Sequence, residues 1–176
     1  TCVKQFADFG ADVIKIESTE PDSMSGPRHG HDMQNLHRNK RSMTCDIASP
    51  QGQGLIRAMA LQSHVFIENY KVGDMSRYGL DYATLKAINP KLVYCSITGF
   101  GQTGPLANRP GFDQIAQGMG GLMSVTGMAE QGPMRVGIPI ADLCAGIFAA
   151  QGILVALLER EKSGQGQWLH TSLLES

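Results

Sequence analysis

The stretch LVYCSITGFGQTGPLANRPG, residues 92–111, indicates the fold class. Its first seven residues are mostly apolar and include β-branched and aromatic side chains, which predicts a strand covered on both faces. A glycine-rich loop follows this strand at once. Outward in both directions, apolar strands alternate with helical stretches. This order predicts an α/β fold, a Rossmann-like open parallel sheet with helices on both faces.

The predicted elements are as follows. Strands are expected at 11–17, 42–47, 64–69, 92–98 and 167–174, and helices at 3–9, 49–62, 72–79, 81–89, 112–127 and 143–164. Ser49 is predicted to cap the second helix, with Pro50 at its first position. Residues 18–40 are predicted to form a loop, and residues 135–142 an extended segment. In such a sheet, ligands bind at the carboxyl ends of the strands.

Composition excludes several classes of protein. The chain has 176 residues and a net charge of −1, so it lacks the charge excess of nucleic-acid or membrane-surface proteins. Four scattered cysteines without a C-x-x-C pair favour reduced thiols and a cytoplasmic protein. The uncharged stretch Leu143–Leu158 is shorter than a spanning helix and contains Gln151, which favours a buried core helix. Because the chain starts at Thr1 inside a helical pattern, we expect a piece of a longer protein.

Two motifs favour simpler interpretations than those they first suggest. GFGQTG, residues 99–104, matches G-x-G-x-x-G, but Pro105 follows directly and no acidic residue stands at the distance that a ribose contact requires. A glycine loop is therefore predicted rather than a dinucleotide site. His29, His31 and His37 fit no zinc spacing, and no metal site is predicted.

Polar side chains cluster after two of the strands. ENYKVGDMSR brings an aromatic ring, an amide and two cations to the end of the third strand, a set that can receive an adenine and its phosphates. Lys40 stands before the second strand beside other basic residues, where phosphate binding and a solvated basic turn are both possible.

Asp142 stands between an extended apolar segment and a long apolar helix. Aspartate is among the best helix caps, so a capping role is favoured on physical grounds. A carboxylate near helix-start amides stays ionised, and an ionised carboxylate can also act as a nucleophile. The two roles are compatible.

An ordered series of blocks covers almost the whole chain: GADVIKIE, NKRSMTCDI, VFIENYKVGDMSRYGLDY, NPKLVYCSITGFGQTGP, RPGFDQIAQGMGGLMSVTG and IADLCAG…GILVALLERE. These blocks resemble the class III coenzyme A transferase family, which includes the formyl-CoA, carnitine-CoA and succinate–hydroxymethylglutarate CoA transferases. Alpha-methylacyl-CoA racemase shares its fold. The resemblance implies that residues 1–176 form the N-terminal part of a large Rossmann-like domain, with the small domain outside this chain.

The resemblance also implies function. Asp142 falls on the family's nucleophilic aspartate, which forms an aspartyl anhydride and an aspartyl-CoA intermediate. The implied substrates are an acyl-CoA and a carboxylic acid. Coenzyme A is the implied co-substrate, and no metal is implied. The implied assembly is an interlocked homodimer. The positions that fall on or beside the family's coenzyme site are Cys45, Asp46, Ala48, Asn69, Tyr70, Lys71, Arg77 and Arg109, and Lys40 is assigned to the same site.

Two positions depart from the family pattern. Ser18 stands where formyl-CoA transferase has a coenzyme-binding arginine, and Phe112 stands where the racemase has a catalytic histidine. CoA transfer is therefore the leading hypothesis. A racemase-type isomerase and a non-catalytic acyl-CoA-binding domain remain as alternatives.

Overall fold

The computed structural model describes residues 1–19 and 31–176. Its α-helices are α1 (Cys2–Asp8), α2 (His31–His37), α3 (Pro50–Gln62), α4 (Asp74–Arg77), α5 (Tyr82–Ile88), α6 (Asp113–Met119) and α7 (Ile140–Ser163), with a short 3-10 helix at Leu122–Val125. The strands are β1 (Ile14–Glu17), β2 (Arg41–Thr44), β3 (Val65–Glu68), β4 (Val93–Thr98) and β5 (Trp168–Ser172).

All the strand pairs of the described residues are parallel. β1 pairs with β2, with Ile14 opposite Arg41, and β3, β4 and β5 form a second sheet in that order. The carboxyl ends of β3, β4 and β5 therefore meet at one edge, as in other parallel sheets.

β4 lies at the centre of the fold, and helices cover both of its faces. Leu92 and Tyr94 pack in a core cluster with residues of α3, α4 and α5. Val93 and Cys95 point to the opposite face and pack against α1 and α7. Burial on both faces explains why the sequence of this strand is a nearly continuous apolar run. The predicted architecture of parallel strands between two helical layers is thus confirmed.

Two predicted boundaries near the N-terminus are wrong. Residues 31–37 form helix α2 inside the segment predicted as a loop, because the sequence has no Gly or Pro between Gly30 and Pro50 to break it. β2 ends at Thr44, before the predicted end at residue 47. The turn begins there because Asp46 accepts hydrogen bonds from the Ala48 amide through its carboxylate and from the Ser49 amide through its carbonyl. The predicted Ser49 cap is confirmed, since its Oγ accepts from Gly52 N at 3.0 Å.

Two further predictions in the second half of the chain need correction. The helix predicted at 112–127 is broken at Gly120–Gly121, where Gly121 has a φ of +82°, and only the short 3-10 helix follows. Residues 135–139 form no strand, and α7 begins at Ile140 after Pro139. Asp142 consequently lies inside the first turn of α7 and is not its N-cap.

α7 is the longest described helix, with 24 residues. Its length and hydropathy would allow it to cross a membrane, and 39% of its most apolar window is buried within the fold. Small side chains such as Ala145, Ala149 and Ala156 face the sheet and permit close packing. Long apolar side chains on the other side, including Phe148, Leu154 and Leu158, are exposed.

The backbones of Gly99 and Gly111 touch at the two ends of the loop between β4 and α6. A Cβ added at either glycine would overlap main-chain atoms of the other. The contact fixes where α6 starts relative to the end of β4. The contact requires glycine at both positions, because no side chain fits between the two backbone segments.

We expect Gly111→Ala to destabilise the protein by about 1–3 kcal/mol, as other overpacked sites do. Gly54→Ala is the matched control, since Gly54 lies on the exposed side of α3 with no atom within 4 Å of the added Cβ. Alanine there should leave stability unchanged or raise it by up to ~1 kcal/mol. Urea denaturation of both variants measures the difference, and equal midpoints would contradict the assigned contact.

Candidate active site

Asp142 lies at the carboxyl edge of the β3–β4–β5 sheet. The first turns of α7 pack there through Ala141 and Ala145, which form a small core cluster with Ala116 and Leu173. Leu173 directly follows β5, so this cluster seats the start of α7 over the strand ends. Asp142 itself is exposed. The structure therefore places the predicted nucleophile where a parallel sheet binds its ligands.

A second carboxylate, that of Asp113, supplies the cap that Asp142 was predicted to provide. Asp113 Oδ1 accepts hydrogen bonds from Ala141 N at 2.9 Å and from Asp142 N at 3.3 Å. These amides are among those that a helix start leaves without an intrahelical partner. Because Asp113 belongs to the first turn of α6, the hydrogen bonds also join α6 to α7. Asp142 is thus relieved of capping, and its side chain is available for chemistry.

Gln117, one turn further along α6, fixes the Asp113 side chain and the segment that precedes α7. Its side chain is only 2% exposed. Its Nε2 donates to Asp113 Oδ2 at 2.6 Å and to the Ile138 carbonyl at 3.3 Å, and its Oε1 accepts from Val136 N at 2.8 Å. All of its hydrogen-bonding groups are therefore engaged in fixing Asp113 and the segment that leads into α7.

The surroundings of Asp142 raise the pKa of its carboxyl group. Loss of hydration at the carboxylate is the larger cause, and the negative charge of Asp113 adds to it. The group therefore holds its proton to a higher pH than an ordinary aspartate. A carboxylate that is less well hydrated is also a better nucleophile when it ionises.

Asp142 opens into a cleft of about 490 Å³ beside α6 and the segment before α7. The cleft has apolar, acidic and basic walls, which include Phe112, Asp113, Ile115, Arg135, Pro139 and Asp142. Its volume lies in the range of small-molecule sites. Phe112, the position that departs from the racemase pattern, is half-exposed in this cleft.

The predicted coenzyme residues after β3 lie at the same edge of the sheet. Asn69, Tyr70 and Lys71 follow β3 directly and are exposed, and the turn is fixed by Glu68 Oε2, which accepts from Tyr70 N at 2.8 Å. Arg77 ends α4, and its guanidinium lies 3.3 Å from Asp74 Oδ1. With 74% of its side chain exposed, Arg77 can reach a ligand on this surface.

The residues predicted after β2 adjoin the core cluster that also underlies the 69–77 segment. Cys45 is buried in the cluster that contains Met75 of α4, so the 45–48 turn and the 69–77 segment share one support. The buried Cys45 thiol does not face solvent, and only its backbone can contribute to a surface site. Asp46 and Ala48 are exposed, and the Asp46 carboxylate is engaged with Ala48 N at 2.9 Å.

Lys40 and Arg109 are placed separately from these two segments. Lys40 Nζ donates to the Leu36 carbonyl at 2.9 Å, and burial, with the nearby Lys15 charge second, lowers its pKa. Lys40 therefore lies on the side of the β1–β2 sheet where α2 is found. Arg109 is exposed in the loop between β4 and α6, two residues before the Gly99–Gly111 contact completes the loop.

The rejected motifs can be placed as well. Residues 101–112 open no helix after Gly104, as predicted from Pro105. His29 lies outside the described residues. Within the part of the chain that the structure describes, no group of three or more His, Cys, Asp or Glu side chains is arranged to hold a metal ion.

Three residues of the site escaped the sequence interpretation: Asp113, Gln117 and Arg135. The signal for the first two was the i, i+4 spacing of polar residues in FDQIAQG, a segment that follows a strand and its glycine loop. Arg135 carried no signal, because its place in the cleft wall depends on the position of a segment without regular structure.

Comparisons with known proteins agree with one another. The family model described as CoA-transferase family III matches residues 1–176. The chain is 43% identical to a succinate–glutarate CoA-transferase of Agrobacterium fabrum, over 98% of this chain and 46% of that protein. It is 39% identical to a succinyl-CoA–D-citramalate CoA-transferase of Chloroflexus aurantiacus, over 99% of this chain and 45% of that protein. The chain therefore spans about half the length of the curated relatives it matches.

A solved structure is similar over the same extent. A CAIB/BAIF family protein from Brucella suis superposes with a TM-score of 0.90 at 42% identity, over 97% of this chain and 48% of that one. The parallel α/β arrangement described above is thus the arrangement of that family.

Proposed function

The chain belongs to CoA-transferase family III, and on that premise we propose that the protein moves coenzyme A from an acyl-CoA thioester to a free carboxylic acid. One observation carries the proposal. Asp142 lies in the first turn of α7, at the carboxyl edge of the sheet, in an open cleft, while another carboxylate performs the capping that its position would otherwise demand. Such a free carboxylate is what nucleophilic catalysis at a thioester requires.

Asp142 begins the reaction by attacking the thioester carbonyl. A bond forms between its carboxylate oxygen and the acyl carbon, and the C–S bond breaks to release the CoA thiolate. The product is a mixed anhydride of Asp142. The thiolate then attacks the aspartyl carbonyl and expels the first acid as its carboxylate, which leaves an aspartyl-CoA thioester.

The second acid reverses these steps. Its carboxylate attacks the aspartyl-CoA thioester and displaces the thiolate, which forms a new mixed anhydride. The thiolate attacks the carbonyl of the incoming acid, releases the new acyl-CoA and regenerates the Asp142 carboxylate. No proton is gained or lost overall, so the site needs no general acid or base. Hydrogen-bond donors around the developing oxyanions would contribute about 3 kcal/mol each, as in measured oxyanion holes.

We propose dicarboxylic acids as the substrate class. Both relatives described above are named for succinate or succinyl-CoA together with another dicarboxylic acid, glutarate or citramalate. The test is to incubate the purified full-length protein with succinyl-CoA and glutarate and to identify glutaryl-CoA and succinate by mass spectrometry. Incorporation of solvent deuterium at the carbon next to the thioester, without exchange of acids, would instead indicate a racemase-type isomerase. Binding without any turnover would indicate a non-catalytic acyl-CoA-binding domain.

We further propose that the coenzyme lies along the segment Asn69–Arg77, with Cys45–Ala48 beside it. The exposed Tyr70 ring can contact the adenine, and the cations Lys71 and Arg77 can meet the phosphates. Lys40 and Arg109 are proposed as additional contacts at the margins of this surface.

We expect Arg77→Ala to weaken acyl-CoA binding by about 1.5–3 kcal/mol, because a hydrogen bond between charged groups would be lost. Arg77→Lys, which keeps the charge, should lose less. Calorimetry with a non-reactive acyl-CoA analogue measures both affinities. Unchanged affinity in a folded Arg77→Ala protein would remove this residue from the coenzyme site.

A further inference from the structure

Arg135 is a basic side chain in the wall of the Asp142 cleft, and its backbone is held on both sides. Before it, Met134 N donates to the Met123 carbonyl at 3.0 Å. After it, Val136 N donates to the buried Gln117 side chain at 2.8 Å. The segment has no regular structure, yet these two hydrogen bonds fix the point from which the Arg135 side chain projects.

The Arg135 guanidinium is also uncommitted. Among the residues that the structure describes, it has no hydrogen-bond or ion-pair partner, although two carboxylates share its cleft. Asp113 is occupied, since its two oxygens accept from the Ala141 and Asp142 amides and from Gln117 Nε2. A cation that lines the same cleft as Asp142 and has no ion-pair partner among the described residues is available to bind an anionic group of a substrate.

We propose that Arg135 binds the free carboxylate of a dicarboxylic acyl group while the other carboxyl carbon reacts at Asp142. The inference rests on the proposed CoA transfer and names the residue that selects its substrates. A dicarboxylic acid bound as a CoA thioester keeps one ionised carboxylate, and the planar guanidinium matches that group with two parallel hydrogen bonds. The methylene groups between the two ends would lie against Phe112, Ile115 and Pro139, the apolar part of the cleft.

This arrangement predicts discrimination between acyl groups of equal length. Succinyl-CoA and butyryl-CoA both carry four acyl carbons, and only the first has a terminal carboxylate for Arg135. The protein should therefore have a higher kcat/KM for succinyl-CoA than for butyryl-CoA, and Arg135 should account for most of the difference.

The experiment measures kcat/KM for both donors, with one fixed acceptor, in the full-length wild type, Arg135→Gln, Arg135→Lys and Lys162→Gln. Lys162 is the matched control, because it is an exposed cation at the opposite end of α7. Using one acceptor cancels its effect in the ratio of the two donors. Where butyryl-CoA is turned over too slowly, its inhibition constant against succinyl-CoA replaces its kcat/KM.

In Arg135→Gln we expect kcat/KM for succinyl-CoA to fall about 10- to 100-fold, the loss that one charged hydrogen-bonding partner entails. The value for butyryl-CoA should stay within about twofold, Arg135→Lys should fall in between, and Lys162→Gln should match the wild type. An equal fall for both donors would assign Arg135 a structural role, and unchanged values for both donors would remove it from the site; either result overturns the inference. Should Arg135→Gln fail to fold, the ratio in Arg135→Lys decides. A wild type that transfers CoA from no acyl-CoA would instead refute the proposed function itself.

Discussion

Asp142→Asn should abolish CoA transfer and leave the protein folded. Asparagine keeps the size and shape of the side chain, but an amide cannot form the anhydride, so we expect kcat to fall by roughly 10³- to 10⁶-fold, as when other enzymes lose their nucleophile. Stability should not fall, because Asp113 and not Asp142 makes the capping hydrogen bonds. Steady-state kinetics and urea denaturation of the same preparation test both halves of this expectation.

A chemical label provides the second readout. Hydroxylamine added during turnover should trap the activated carboxyl group, and trypsin should then release the mark on the peptide Val136–Arg160, which contains Asp142 as its one acidic residue before Glu159. Asp113 lies on a different peptide, which ends at Arg135. A label on that second peptide, or an active Asp142→Asn protein, would show that the nucleophile has been wrongly assigned.

Asp113→Ala should lower kcat about 100-fold, although Asp113 takes no part in the chemical steps. The substitution removes the acceptor for two amides at the start of α7 and leaves Gln117 Nε2 without its shortest hydrogen bond. Loss of a helix cap costs about 1–2 kcal/mol of stability, and a displacement of the nucleophile by about 1 Å can cost 100-fold in rate. Stability and kcat should therefore both fall.

The conservative variant Asp113→Asn separates position from charge. Its side-chain oxygen can still accept from the Ala141 and Asp142 amides, although its Nδ2 replaces the acceptor of Gln117 Nε2, so the position of α7 should be retained better than in Asp113→Ala. Its neutral charge removes one of the two causes that raise the pKa of Asp142. Since the reaction needs the ionised carboxylate, the acid limb of the pH–rate profile should move to lower pH. An unmoved limb would mean that the Asp113 charge does not act on Asp142.

The same pKa shift has a consequence for stability. A carboxyl group whose pKa is higher in the folded than in the unfolded protein binds more protons in the folded state. Asp142 therefore makes the protein less stable as the pH rises from the ordinary aspartate value of 3.8 through the raised one. The site keeps Asp142, the proposed nucleophile, in an environment that opposes its ionisation, and perturbed pKa values of this kind are common at functional sites.

The parts of the fold that the sequence predicts are those with strong local patterns. The apolar run at β4, the Ser49–Pro50 start of α3 and the long apolar α7 each specify their own structure. The predictions fail where a residue distant in the sequence determines the local structure. The segment 135–139 looks like a strand by its alternation, but Gln117 takes up two of its backbone groups from α6, and Pro139 leads directly into a helix.

The site shows the same division. Asp142 is conspicuous as a lone carboxylate in an apolar sequence, so the sequence identifies it as a candidate, and the structure places it in an open cleft at the carboxyl edge of the sheet. Its supposed capping role was wrong, because the acceptor comes from a residue 29 positions earlier in the chain. No local pattern reports such a contact. The predicted coenzyme residues remain predictions, and those that follow β3 are supported by their position at the carboxyl edge of the sheet.

The contact between Gly99 and Gly111 bears on how this protein can change over evolutionary time. The residues between the two glycines form a loop whose two ends are in contact. Insertions in this loop therefore need not displace α6 or its Asp113 carboxylate. Doubling the length of a flexible loop costs only about 0.6 kcal/mol in closure entropy. Residues 100–110, Arg109 among them, can therefore vary in length and sequence while α6 and its Asp113 carboxylate keep their position.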